Sequence, residues 1–145
     1  MKQKARRICS IEFVKIQGPH TGNGAEAHFY QMGTCKYGIK IYTSLKLAME
    51  SYERQKLAAK HGLAPKVGKI VLAQRNNSKR FWYGYKTEKA REVSEKDQIF
   101  EKQADILLEK LRKIGLGGDF SDSNCGILGR KLVAIDFGSH SEADW

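Results

Sequence analysis

The fold of this chain is decided by residues 37–60, which read YGIKIYTSLKLAMESYERQKLAAK. Apolar side chains first alternate, so that Ile39 and Ile41 share one face of a predicted strand while Lys40 points to the other face. Either the threonine or the serine that follows this strand can then cap a helix, which we predict to run to about Lys60. The stretch therefore predicts a lysine-bearing strand that leads directly into a helix.

Similar patterns on both sides of this stretch predict the remaining elements. A capping box at Ser94-Glu95-Lys96-Asp97 opens a second, longer helix, which Gly115 ends. The dipeptide Gly129-Arg130 is a hairpin signal between two short strands, 125–128 and 131–135. Apolar alternation predicts further strands at 8–16, 28–32, 67–74 and 81–85. The order of strands, helix, strands, longer helix and hairpin predicts an α+β fold.

Composition places the chain among globular proteins and excludes several classes. Of its 145 residues, 41% are hydrophobic and 29% are charged, unlike the apolar-poor composition of disordered chains. No uncharged apolar run approaches the roughly 18 residues of a membrane span, so we expect no membrane partner. Three cysteines without a C-x-x-C pair indicate free thiols in a reducing compartment. We therefore expect a cytoplasmic protein without a zinc site.

Positive charge is concentrated in the first half of the chain. The formal net charge is +10, and residues 1–69 carry 13 Lys and Arg against four Asp and Glu, whereas residues 70–145 carry 13 against 12. This asymmetry predicts that the first half faces a nucleotide, a nucleic acid or an acidic protein. For a nucleic acid, the candidate phosphate contacts are Arg6, Arg7, Lys15, Lys36, Lys60, Lys66 and Lys69. No nucleic-acid-binding motif in the sequence supports that hypothesis.

Four features that bear chemistry follow one another along the chain. They are a turn with Gly18, Gly22 and Gly24, then Lys40 with Glu53 on the next helix, then Asp119 five residues before Asn124, and last the triplet Asp136-Phe137-Gly138. A lysine on a rigid strand and the bare backbone of a glycine turn suit phosphate oxygens. Carboxylate and amide oxygens suit Mg²⁺. The combination predicts a phosphate-transfer site, although an ordinary hairpin loop explains the glycine turn equally well.

This order resembles the protein-kinase superfamily, and within it the RIO-type and aminoglycoside-phosphotransferase-type kinases. Tyr37-Gly38-Ile39-Lys40 stands where that family has its V-A-I-K lysine. Asp119 and Asn124 match its catalytic-loop D-x-x-x-x-N, and residues 136–138 match its D-F-G triplet. The resemblance implies one minimal kinase-like domain over residues 1–145.

The resemblance also implies two unequal parts. Residues 1–86 would form a kinase-like N-lobe, an antiparallel sheet with one helix. Residues 87–145 would form a reduced C-lobe with one long helix and a small β-hairpin. Seven residues follow Gly138, so we expect neither an activation segment nor a large helical lobe. So compact a kinase would suit a phage or a mobile element.

Each candidate residue takes a role toward ATP and Mg²⁺ from the same resemblance. Lys40 would contact the phosphates, and a helix carboxylate would hold its ammonium group. Glu53 is the preferred carboxylate, and Glu50, one helical turn away, is left open. Asp119 would accept or orient the proton of the acceptor hydroxyl. Asn124 and Asp136 would bind Mg²⁺, and the backbone of Gly18, Gly22 and Gly24 would contact the phosphates. The strand with Phe81 and Tyr83 would contact the adenine. The alternative for these two aromatic residues is that they belong to the core.

Three hypotheses for the function follow. The leading one is an ATP- and Mg²⁺-dependent phosphotransferase of the protein-kinase-like type that acts on a protein hydroxyl. The second is a pseudokinase-type module that binds nucleotide and regulates a host protein partner without transferring phosphate. The third is a basic nucleic-acid-binding protein. An exposed apolar face near the longer helix would favour a homodimer.

Overall fold

The computed structural model describes residues 11–16, 22–23, 27–32, 36–75, 79–93, 101–116, 125–135 and 137. Over these residues the chain has the α+β fold that its sequence predicts. A large sheet carries one helix, and a second helix follows together with a small antiparallel sheet. None of the helices in these ranges is both long and apolar enough to cross a membrane.

Two groups of elements follow each other along the chain. The first group is β1 (Glu12–Ile16), β2 (Gly22–Asn23), β3 (Ala27–Gln31), β4 (Tyr37–Tyr42), α1 (Leu45–Lys60), β5 (Val67–Arg75) and β6 (Phe81–Glu88). The second group is β7 (Arg91–Glu92), α2 (Glu101–Lys113), β8 (Cys125–Leu128) and β9 (Lys131–Ala134). The strand predicted around Lys40 is confirmed as β4, and so is the end of α1 predicted at about Lys60. The predicted starts at residues 8 and 94 lie outside the described residues.

The six-stranded sheet has the order β1-β5-β6-β4-β3-β2. Four of its neighbouring pairs are antiparallel, but β1 runs parallel to β5. The antiparallel sheet predicted for this part is therefore corrected to a mixed one. Parallel neighbours need a long crossover connection, which β2, β3, β4 and α1 provide here.

The sheet curls around one of its faces. Arg75 of β5 lies over the ring of Trp82 on β6 and over that of Tyr30 on β3, with its Cζ 4.9 and 5.7 Å from the two centroids. Tyr30 is three strands away from β5, so the two side chains meet only because the sheet is curved. This concave face holds an apolar core of Ile16, Tyr30, Ile39, Ile41, Val71, Ala73 and Trp82. The opposite face packs on α1 through Tyr42 and Tyr85.

Both ends of α1 have clear causes. Ser44 is the N-cap, because its backbone is extended and its Oγ accepts a hydrogen bond from the N–H of Leu47 at 3.2 Å. The serine, rather than Thr43, thus fills the predicted cap position. The helix ends at Lys60, and Gly62 then adopts a φ of +73°, a left-handed conformation that glycine takes at little cost.

The second group of elements packs on the C-terminal end of α1. The backbone N–H of Ala134 on β9 donates a hydrogen bond to the carbonyl of Leu63, just beyond α1, at 2.9 Å. Leu111 of α2 and Phe137 are both buried beside these residues. The shared core also contains Ala58, Ala64, Leu107, Cys125, Ile127 and Leu132. This packing holds the chain that follows β9 against α1.

Candidate functional site

Lys40 lies in the middle of β4 on the face of the sheet that packs on α1. Its ammonium group donates a hydrogen bond to Gln55 Oε1 at 3.2 Å and another to the backbone carbonyl of Ile135. Its Nζ also lies 6.0 Å from the ring centroid of Tyr85 on the neighbouring strand, at the limit of a cation–π interaction. The lysine is therefore half buried and oriented by groups from three parts of the fold.

The residue of α1 that meets Lys40 is Gln55. The structure does not bring Glu53 to the lysine, because Glu53 is exposed while Gln55 is completely buried. Two positions along a helix are about 200° apart around its axis, so the two side chains face different ways. Glu50, the other carboxylate considered, is half buried. The buried face of α1 is formed by Ala48, Ser51, Gln55 and Ala58.

Every hydrogen-bonding group of the Gln55 amide is used. Its Oε1 accepts from Lys40 and from the hydroxyl of Tyr85, the latter at 2.7 Å. Its Nε2 donates to the carbonyl of Pro65 at 3.0 Å and to Thr87 Oγ1 at 2.7 Å. Two accepted and two donated bonds are the full capacity of a primary amide. A carboxylate in this position would place an oxygen atom next to the carbonyl oxygen of Pro65, and the two acceptors would repel each other. This explains why the residue opposite the lysine is an amide.

A chain of buried hydroxyl groups leads to this amide. Because Tyr85 gives its only hydroxyl proton to Gln55, Ser51 donates to Tyr85 at 3.0 Å. Tyr42 then donates to Ser51 Oγ. The rings of Tyr42 and Tyr85 are stacked with centroids 5.9 Å apart. The chain joins α1 to β4 and β6, and it thereby fixes the amide oxygen that faces the lysine.

A second cation reaches the chain next to the predicted metal ligand Asp136. Arg54 of α1 donates from Nη1 to the backbone carbonyl of Phe137 at 3.0 Å, and Lys40 donates to that of Ile135. Asp136 itself lies outside the described residues. Two cationic side chains thus bind the backbone on both sides of that position. The sequence does not single out Arg54, because its backbone partner lies 83 residues away.

Other predicted site residues lie outside the described residues as well, namely Gly18, Gly24, Asp119 and Asn124. In sequence, Asn124 directly precedes Cys125, which pairs with Ala134 across β8 and β9. Asp136 follows Ala134 by two positions. The hairpin therefore joins the two strand ends to which the predicted Mg²⁺ ligands are attached. Within the described ranges, no group of three or more His, Cys, Asp or Glu side chains could hold a metal ion.

An aromatic ring forms the surface beside Lys40. Phe29 of β3 stands opposite Lys40 in the register of β3 and β4. Its ring covers Gly38 so closely that a Cβ at that position would overlap it. Gly22, one of the predicted phosphate-binding glycines, lies on β2 and pairs with Phe29.

The two predicted adenine contacts lie at different distances from the lysine. Tyr83 and Phe81 lie on the same face of β6 as Tyr85, which pairs with Lys40. Four strand residues, or about 13 Å, separate Phe81 from Tyr85. Phe81 instead meets Phe13 of β1, edge to face, with ring centroids 6.4 Å apart. The structure brings Tyr83 toward the site and leaves Phe81 at the other end of the strand.

No model of a known protein family matches this chain, and no curated protein has significant sequence similarity to it. The contacts of Lys40, Arg54 and Gln55 offer the most chemistry, because two cations bind a single segment of backbone and an oriented amide holds one of these cations.

Proposed function

We propose that the chain is an ATP- and Mg²⁺-dependent phosphotransferase of the protein-kinase-like type, which transfers the terminal phosphate of ATP to a protein hydroxyl. The observation that carries the proposal is the hydrogen bond from Lys40 to the carbonyl of Ile135. It joins the lysine of a central strand to the residue before Asp136, across 95 positions of sequence. The sequence resemblance implies one phosphate site for the same lysine and the same aspartate.

The chemistry of the predicted metal ligands supports the proposal. Asn124 and Asp136 flank, in sequence, strand ends that the pairing of Cys125 with Ala134 holds together. An amide oxygen and a carboxylate fit Mg²⁺, which prefers oxygen donors and takes few protein ligands beside phosphate oxygens. When bound, Mg²⁺ supplies positive charge that neutralises the β- and γ-phosphates.

Each side chain has one task in the proposed reaction. Lys40 binds phosphate oxygens by exchanging one of its protein acceptors for the nucleotide, and Gln55 keeps the ammonium group oriented. Asp119 orients the acceptor hydroxyl and accepts its proton as the phosphate is transferred. Arg54 holds the backbone of the segment that carries Asp136 against α1.

Transfer of labelled terminal phosphate from ATP to the chain itself, or to a mixture of host proteins, tests the proposal. Asp136→Asn should lower the rate by about a hundredfold or more, because it removes the charge of a metal ligand. Asp105→Asn is the matched control, since Asp105 is an exposed acid of α2, and it should leave the rate unchanged. Equal rates in the two variants would contradict the proposal.

A second candidate is a nucleotide-binding module that regulates a protein partner without transferring phosphate. The neutral amide of Gln55 favours it, because the kinase resemblance implies a carboxylate opposite Lys40. A nucleotide must also compete with the carbonyl of Ile135 for the ammonium group. Saturable, Mg²⁺-dependent binding of ATP in a calorimeter, without transfer or hydrolysis over hours, would select this candidate over the first.

A further inference from the structure

A cleft opens on the concave face of the sheet, away from α1. Tyr37 shares that face with Ile39, and Lys86 pairs with Ile39 across β4 and β6. Lys40, by contrast, lies on the α1 face. The cleft is an open depression of about 580 Å³. We call it the lysine cleft, and the residues that define it are Glu12, Tyr37, Lys66, Lys69 and Lys86.

Lysines from three strands and their flanking residues gather at this end of the sheet. Lys36 and Lys89 lie where β4 begins and β6 ends, and the N–H of Lys89 donates to the carbonyl of Lys36 at 2.7 Å. The ammonium group of Lys89 donates to Gln31 on the other face of the sheet, whereas that of Lys36 lies near the ring of Tyr37. With the three lysines of the cleft, Lys36 therefore brings four ammonium groups to this end of the sheet. Such a concentration of positive charge attracts polyanions.

The described carboxylates at this end are engaged by protein groups. Glu12 forms an ion pair with Lys86 at 2.8 Å, and Glu88 accepts a hydrogen bond from the N–H of Lys66 at 2.9 Å. The hydrogen bond from Lys86 lowers the pKa of Glu12; burial opposes this, and the charges of Lys86 and Lys69 lower the pKa further. The direction of the shift agrees with a positive potential in the lysine cleft.

A β-bulge forms the floor of the lysine cleft. The register of β5 and β6 changes between Val67 and Ile70, so that Gly68 and Lys69 together lie opposite Lys86. A bulge of this kind leaves one residue unpaired and bends its strand. A Cβ at Gly68 would lie only 3.0 Å from Cβ of Lys86. Because residue 68 is a glycine, no side chain fills the floor of the cleft between Lys69 and Lys86.

Tyr37 gives the cleft an accessible aromatic ring. The residue is 36% exposed, and Nζ of Lys36 lies 5.5 Å from its ring centroid. Proteins that bind single-stranded nucleic acids combine a basic groove with aromatic rings on which bases stack. The lysine cleft contains both parts.

We propose that the lysine cleft binds single-stranded nucleic acid, with Lys66 and Lys69 on its phosphates and Tyr37 stacked on a base, while Lys86 stays paired with Glu12. The ring favours a single strand over a duplex, because the bases of a duplex are stacked on one another and cannot stack on a side chain. The ring favours nucleic acid over an acidic peptide, which would use only the lysines. Binding here is independent of phosphate transfer at Lys40, which lies on the other face of the sheet.

Fluorescence anisotropy of the full chain with fluorescein-labelled oligouridine, about 12 nucleotides long, tests the proposal. Lys66→Gln/Lys69→Gln should weaken binding about tenfold or more and reduce the slope of log affinity against log salt by about 1.4, or 0.7 for each phosphate that a lysine no longer neutralises. Lys46→Gln/Lys56→Gln removes the same charge from exposed positions of α1 and should change neither quantity. Equal reductions in affinity for both variants, or an affinity insensitive to salt, would overturn the proposal.

Tyr37→Leu separates nucleic acid from other polyanions. This variant should bind oligouridine about tenfold more weakly, while an abasic oligomer of equal length and charge should bind weakly to both proteins. Thermal unfolding followed by circular dichroism first establishes that each variant is folded. If polyglutamate competes as well as oligouridine and Tyr37→Leu changes nothing, the cleft is a site for acidic peptides and the proposal fails.

Discussion

Gln55 orients the ammonium group of Lys40 without neutralising it. A carboxylate in this position would cancel the charge of the lysine, whereas an amide presents only the negative end of a dipole. The amide cannot rotate freely, because Tyr85, Pro65 and Thr87 occupy its other hydrogen-bonding groups. The lysine is thereby held in place while it keeps its positive charge, as the proposed contact with phosphate requires.

Gln55→Met should therefore destabilise the fold strongly, although methionine keeps the length of the side chain. The substitution leaves the Pro65 carbonyl and the Tyr85 hydroxyl buried without this partner, and each unsatisfied group costs about 1–3 kcal/mol. We expect the free energy of unfolding in urea to fall by about 3 kcal/mol. Glu53→Met, on the exposed side of the same helix, should change it by less than about 0.5 kcal/mol. Similar decreases in both variants would show that the amide network does not stabilise the fold.

The position of α1 depends on its first turn as well as on this network. Ser44→Ala removes the side-chain acceptor for the N–H of Leu47, so the free energy of unfolding should fall by about 1 kcal/mol. Thr43→Ala should change it by less than about 0.5 kcal/mol, because Thr43 is not the cap. Urea denaturation of both variants checks the difference. A larger decrease in Thr43→Ala would place the cap one residue earlier.

Elements that depend only on neighbouring residues could be predicted from the sequence. Strand β4 follows from the alternation of Ile39 and Ile41, and α1 follows from a hydroxyl cap and a closing glycine. The parallel pairing of β1 with β5 could not be predicted, because the residue pattern of a strand does not determine which other strand lies next to it in the sheet. β6 also extends to Glu88, beyond the predicted end, because β4 and β5 pair with it on both sides as far as Thr87.

In the candidate site, too, the features that depend on neighbouring residues could be predicted, and those that depend on residues distant in sequence could not. The side of β4 on which Lys40 lies was predictable from strand alternation alone. Its partner on α1 was not, since the buried face of that helix is marked by Ser51 and Gln55 rather than by large apolar residues. Hydrogen bonds to the backbone at Ile135 depend on how the two groups of elements pack, which no residue pattern encodes.

Arg54 connects these two groups of elements, since it extends from α1 to the chain that follows β9. Arg54→Leu keeps much of the packing of the side chain and removes its hydrogen bond to the Phe137 carbonyl. A bond from a charged donor is worth about 1.5–3 kcal/mol, so local opening of this segment should become about tenfold to a hundredfold more frequent. Hydrogen exchange in peptides that cover residues 131–137 should accelerate by that factor, while peptides from β4 and β6 exchange as before.

Lys56→Leu removes a charge from an exposed position of the same helix and is the control for Arg54→Leu. It should leave exchange over residues 131–137 unchanged, because Lys56 packs on the ring of Tyr52 and not on that segment. Unchanged exchange in Arg54→Leu would mean that burial of Phe137 and the hydrogen bonds at Ala134 and Ile135 hold the segment in place without the arginine. Acceleration throughout the sheet in that variant would mean instead that the arginine supports the whole fold, because opening would then be global rather than confined to the chain around Asp136.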